Sequence, residues 1–207
     1  GAEALNWSGT SQKNQLIYGA GLGFVFLTAV EVMDGFSEEW GASTGDIVAN
    51  ASGTALYVSQ ELIWKEQRII PKFSYHKTQY SNYRPDVLGS TIPEQILKDY
   101  NGQTYWFSAN VNSFFKGSKT PKWLNVAVGY GAEGMVSGKD ENSSPISTPK
   151  PEKFRQFYLS LDVDLTKIET KSHFLKTFFS VFNTIKIPAP TIEYSTHSGF
   201  KFYAFYF

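Results

Sequence analysis

Cysteine is absent from the 207 residues, which excludes a disulfide framework, a cysteine-based metal site and lipidation at a cysteine within this chain. Histidine occurs three times, at His76, His173 and His197, without metal-ligand spacing. Charge is scarce too. Only 18% of residues are charged, and the 19 basic and 19 acidic side chains balance to zero, so nothing marks a nucleic-acid surface. No Gly-x-Ser-x-Gly nucleophile motif occurs. The glycines of Gly19-Ala-Gly21-Leu-Gly23 lie inside an apolar helical run with no lysine following, which rules out a phosphate-cradling loop. Neither cofactor nor bound metal is expected, and enzymatic function has no positive support.

Aromatics fill the gap, at 16% of the chain. They are concentrated at the end, where residues 199–207 read Gly-Phe-Lys-Phe-Tyr-Ala-Phe-Tyr-Phe. At period two, Tyr203, Phe205 and Phe207 share one face, and Phe200, Phe202, Ala204 and Tyr206 the other. Both faces call for an apolar or interfacial setting. Phe200, Phe202, Phe205, Tyr206 and Phe207 are therefore expected to meet a membrane or a partner. A terminal Phe behind alternating aromatics resembles the closing strand of outer-membrane β-barrel proteins. The last, doubly buried strand of a soluble sheet would read the same.

Two periodicities divide the chain. Residues 15–33 are almost unbroken apolar and predict a helix, long enough to be either a core helix or a short membrane span. A second helix is predicted over 44–64, capped by Ser43 with Asp46 completing a capping box. Gly19 and Gly23 on the first, with Ala49 and Gly53 on the second, have the four-residue spacing that lets helices approach closely, and predict a tight hairpin. Beyond Trp64 the period becomes two. Strands are expected over 68–75, 103–115, 123–132, 157–165, 191–196 and in the tail, interrupted by an amphipathic helix near 173–185. Residues 137–151 read as a long polar loop. Each long strand sets an apolar face against a polar, glycine-containing one, as a lipid-facing barrel with a filled interior or a soluble sheet with one wet face would.

The sharpest polar cluster is Glu31 and Asp34 at the end of the first helix with Asp46 and Asn50 at the start of the second, which a hairpin would bring together. Such a group could bind a divalent cation or do acid/base work. Capping by Asp46 and turn formation by Asp34 account for it more simply.

The stretch from Glu31-Val-Met-Asp-Gly-Phe-Ser-Glu-Glu-Trp to Asn50 and Gly53 resembles the YfiM-like family of predicted periplasmic lipoproteins, and is loosely similar to VanZ-like proteins. Leu97-Lys-Asp-Tyr-Asn-Gly-Gln-Thr-Tyr-Trp, the run from Pro121-Lys-Trp-Leu-Asn-Val to Met135, and Ile185-Lys-Ile-Pro-Ala-Pro resemble its longer form from outer-membraned bacteria with type 9 secretion. The resemblance implies an envelope location and export, which suits a chain starting at Gly1 without Met, and it implies no catalytic residue.

The combined expectation is an α+β protein, with a helical hairpin over 1–66 and an antiparallel sheet or small, possibly outer-membrane, β-barrel over 67–207. Its expected role is non-enzymatic: an accessory subunit of an outer-membrane protein complex, such as a secretion-pore component or periplasmic plug, at the outer membrane or its periplasmic face. Protein partners and lipid are expected there. The alternatives are a small independent outer-membrane barrel and a metal-dependent hydrolase using Glu31, Asp46 and Asn50.

Overall fold

The computed structural model describes residue 5 and residues 7–34, 44–136 and 151–207, with side chains excluded for 31–34. The chain divides into two compact units, Gly1–Gln67 and Arg68–Phe207.

The first unit pairs helix α1, Gly21–Asp34, with helix α2, Thr44–Ile63. Upstream, α1 continues into a π-helical segment, Gln15–Ala20. This wider turn breaks the glycine stripe, because Gly19 lies in it and Gly23 beyond it, so a spacing counted at 3.6 residues per turn no longer holds. Gly19 is buried, whereas Gly23, Ala49 and Gly53 are exposed, and a Cβ at Gly23 or Gly53 would meet no neighbour. The expected small-residue packing is corrected to this extent. Instead, Gln67 ties down the end of α2, donating to the Tyr57 carbonyl at 3.1 Å and to Glu61 Oε1 at 2.8 Å. Among the described residues no helix is long and apolar enough to cross a membrane. Ser43 and the loop joining the helices lie outside the described residues.

Among the described residues, the second unit is a meander of six antiparallel strands in chain order. They are β1 (Ile69–Tyr75), β2 (Gln103–Asn110), β3 (Leu124–Glu133), β4 (Phe154–Val163), β5 (Ala189–Ser195) and β6 (Gly199–Tyr206). Strand β2 is shorter than its alternation predicts because Asn110 caps a helical turn, Val111–Phe114, through Ser113 N. Most of 137–151 lies outside the described residues. The sheet is open, with β1 and β6 at its edges, so the expected alternative of a closed barrel is not what the described residues form. Segment 184–186 runs parallel along the outer edge of β1, Phe73 N donating to Thr184 O at 2.8 Å and Lys186 N to Phe73 O at 2.9 Å.

Between β1 and β2 lies helix α3, Ile92–Lys98, opened by a capping box of Thr91 and Glu94. Glu94 accepts from Ser90 N, Ser90 Oγ and Thr91 N, and these donors hold its carboxyl down at about 2. Because the folded value lies below the unfolded one, the cap contributes stability above the usual carboxylate range and loses it as pH falls toward 2. Amide exchange over 92–98 should accelerate in that window, and Glu94→Ala should show the faster rate already at neutral pH. Helix α4, His173–Phe182, is capped by Ser172 and carries the predicted apolar stripe, three residues shorter than expected at its end.

Candidate functional site

In a water-soluble sheet with one wet face, the apolar side would be covered and the polar side open. Here the polarity is reversed. On the inward face the side chains at Lys72, Ser108, Asn125, Asp162 and Glu193 are almost fully buried, while Phe107, Val128, Leu159, Ile192 and Phe202 on the outward face are exposed.

The outward face is ordered in lateral rows. One aromatic ring per strand, Phe73, Tyr105, Tyr130, Phe157, Tyr194 and Phe200, lies in register across all six strands. Ring centroids are 5.9 Å apart for Phe73 and Tyr105, 5.6 Å for Tyr130 and Phe157, and 5.0 Å for Tyr194 and Phe200. The next row is Pro71, Phe107, Val128, Leu159, Ile192 and Phe202, and the one after it contains Ile69, Ala109, Val126 and Leu161. Leu124 opposite Val163 ends the apolar belt. On the far side of the aromatic row the outward pair is Ala132 and Arg155, where charge returns.

The inward face is a hydrogen-bonded network around a buried ion pair. Lys72 Nζ lies 2.9 Å from Asp162 Oδ2, both side chains inaccessible. Asp162 also accepts from Ser108 Oγ at 2.6 Å and from Ile187 N at 3.1 Å. Asn125 donates to Ser108 Oγ, and Asn110 to Asn125. Lys186 Nζ donates to the carbonyls of Leu161 and Ile187 and stands 5.0 Å above the Trp106 ring. Gly129 makes room for that indole, since a Cβ there would lie 2.6 Å from Trp106 Cε3. Beyond it Tyr206 donates to Tyr158 at 2.9 Å and shares a hydrogen bond with Thr104 at 3.1 Å.

The tail splits differently from its period-two reading. Pairing moves from Thr191–Tyr203 to Ala189–Tyr206, so β6 spends one more residue than β5 over this step. That β-bulge flips the alternation. Tyr203 and Tyr206 both turn inward, where Tyr206 is 8% exposed, while Phe205 joins Phe200 and Phe202 outside at 79%, 77% and 68% exposed. The assignment of Tyr206 to the membrane- or partner-facing set is thereby corrected. Phe207 is 44% exposed.

In the helical unit, Asp46 is exposed and Asn50 half-buried, and the side chains of Glu31 and Asp34 lie outside the described residues. Among the described residues no group of three His, Asp or Glu side chains could hold a metal ion. An open groove of about 430 Å³ lies in this unit, lined by Leu16, Ile17, Val58 and Leu62 with Lys13 and Glu61 at hand. Lys72, Asp162 and Lys186 escaped the sequence reading as candidates. The available signal was a single lysine, Lys72, set between Ile70 and Ser74 on the inward side of β1, together with the polar alternation of β4.

Comparisons with family models, curated proteins and solved structures find no match.

Proposed function

We propose that the protein is a non-enzymatic structural subunit of an outer membrane, its β unit seated in lipid by the outward face of the sheet. The observation that carries this reading is the reversed polarity: an apolar exterior in rows around a charged, hydrogen-bonded interior. Membrane β-structures need that arrangement, since their solvent is hydrocarbon and their polar groups must be satisfied within. An aromatic row bordering an aliphatic belt matches the girdle such proteins place at the headgroup level. Strands β3 and β4, with 10 residues each, have the length that a tilted membrane strand requires.

Trp106, Tyr158, Tyr206 and Lys186 occupy the interior, which favours a solid structural element over a channel. The open sheet favours a subunit of a larger assembly over an independent barrel, because the second edge of β6 has no strand partner among the described residues. The resemblance to an envelope family points the same way, and a secretion pore is the kind of complex it suggests. The hydrolase alternative gains no support from the exposed Asp46.

Mid-belt charge tests the proposal. Leu159→Lys and Val128→Lys should each destabilise the fold in lipid bilayers by about 2–4 kcal/mol, as lysine does at a bilayer midplane. Arg155→Glu, outside the belt, should have little effect. A wild-type chain that is folded, monomeric and soluble without detergent or partner would refute the reading.

A further inference from the structure

The two ends of the β unit differ in charge. One end carries the β2–β3 connection and the segment from β4 through α4, brought side by side by register and by the 2.7 Å Lys122–Glu169 ion pair. Among the described side chains, its surface holds Lys116, Lys119, Lys122, Lys167, Lys171 and Lys176 against one exposed acid, Glu169. At the opposite end, the described parts of the β1–β2, β3–β4 and β5–β6 connections mix acids and bases in equal number: Asp86, Glu94, Asp99 and Glu152 offset Lys77, Arg84, Lys98 and Lys153. The asymmetry is local, in a chain whose net charge is zero.

Helix α4 lies at the basic end. Phe174, Phe178, Val181 and Phe182 form one exposed apolar stripe, with Phe178 and Phe182 ring centroids 4.3 Å apart, while His173, Lys176 and Ser180 take the opposite side. Immediately after the helix, residues 184–186 lie along β1, which carries Phe73 and Pro71 of the outward rows. The apolar stripe of α4 is thus joined by a few residues to the belt of the sheet, and exposed Trp123 and Phe115 stand at the same end.

We infer that this end is a docking surface for the phosphate headgroups of anionic lipids, with α4 lying in the interface and the lysine rim gripping the leaflet. The inference rests on the proposed seating of the sheet in lipid and names which end meets which chemistry. An apolar stripe backed by lysines binds at a headgroup boundary by burying the stripe and attracting anionic lipid. Each lysine near an anionic surface is worth about a fivefold gain in binding. Aromatic Trp123 and Phe115 suit the same depth.

The test is flotation of the full chain with vesicles of phosphatidylcholine alone and with a third of phosphatidylglycerol. Binding to the anionic vesicles should be at least tenfold tighter, and 0.5 M salt should erase the difference, because exposed charges are then screened. Lys171→Gln combined with Lys176→Gln should lose on the order of tenfold of the anionic preference while leaving binding to neutral vesicles unchanged. Lys153→Gln with Arg155→Gln, at the other end, should keep the preference. Equal binding to both vesicles would overturn this inference and leave the membrane seating standing. An equal loss from the control pair would overturn it too. Failure to bind either vesicle would overturn both.

Discussion

Replacing Asp162 by Ala should destabilise the β unit by about 3–5 kcal/mol, the cost of stripping the partner from a buried charge. The side chains of Lys72 and Lys186 are both inaccessible, and Asp162 is the carboxylate they face, at 2.9 and 4.0 Å. Without it, Lys72 keeps only the Val163 carbonyl and Asn183 Oδ1 as acceptors among the described residues, and the Ser108 hydroxyl and Ile187 amide lose theirs. A domain has only about 5–15 kcal/mol in total, so the variant should populate unfolded chains under conditions where the wild type is stable. Denaturant unfolding of the full chain in mild detergent, followed by near-ultraviolet circular dichroism, measures the effect. Asp162→Asn, which keeps an acceptor but removes the charge, should fall between. A loss below about 1 kcal/mol for the alanine variant would mean that water reaches the pair.

Trp106→Ala should cost a similar amount, about 3–5 kcal/mol, through the cavity left by a large aromatic. The indole is 2% exposed, packs on Tyr158 at 5.5 Å and Tyr206 at 6.1 Å between centroids, and donates to Ser74 Oγ at 2.9 Å. A second substitution separates this packing from a general loss of fold. Gly129→Ala places its methyl 2.6 Å from the Trp106 ring, so it should destabilise the wild type. In the Trp106→Ala background that methyl enters the vacated space and should be neutral or stabilising. Such a cycle yields a non-zero interaction energy, the double variant losing less than the sum of the two single losses. Additive losses would show that Trp106 and Gly129 do not share one packing unit.

Much of the secondary structure was legible locally. Period two placed all six strands, because side chains on a half-buried strand must alternate whatever the strand packs against. The amphipathic helix over 173–185 showed itself by its phenylalanine stripe, and the switch of period after Trp64 fell close to the division after Gln67. Legibility ended where long-range geometry began. The glycine stripe failed because a π-helical segment changed the residues per turn between Gly19 and Gly23. The tail was divided wrongly because one bulge residue in β6 exchanged its faces after Tyr203.

The sequence alone determined that each strand has an apolar and a polar side, that aromatics crowd the end of the chain and that no cysteine chemistry is available. Which side is inside was decided by tertiary structure, since alternation records that two faces differ but carries no sign. That sign came from contacts between non-adjacent strands, which bury Lys72 against Asp162, 90 residues away in sequence, and leave Leu159 outward. Register did the rest. Only the pairing of all six strands sets Phe73, Tyr105, Tyr130, Phe157, Tyr194 and Phe200 in one line, because lateral alignment depends on turn lengths and bulges that no single strand encodes.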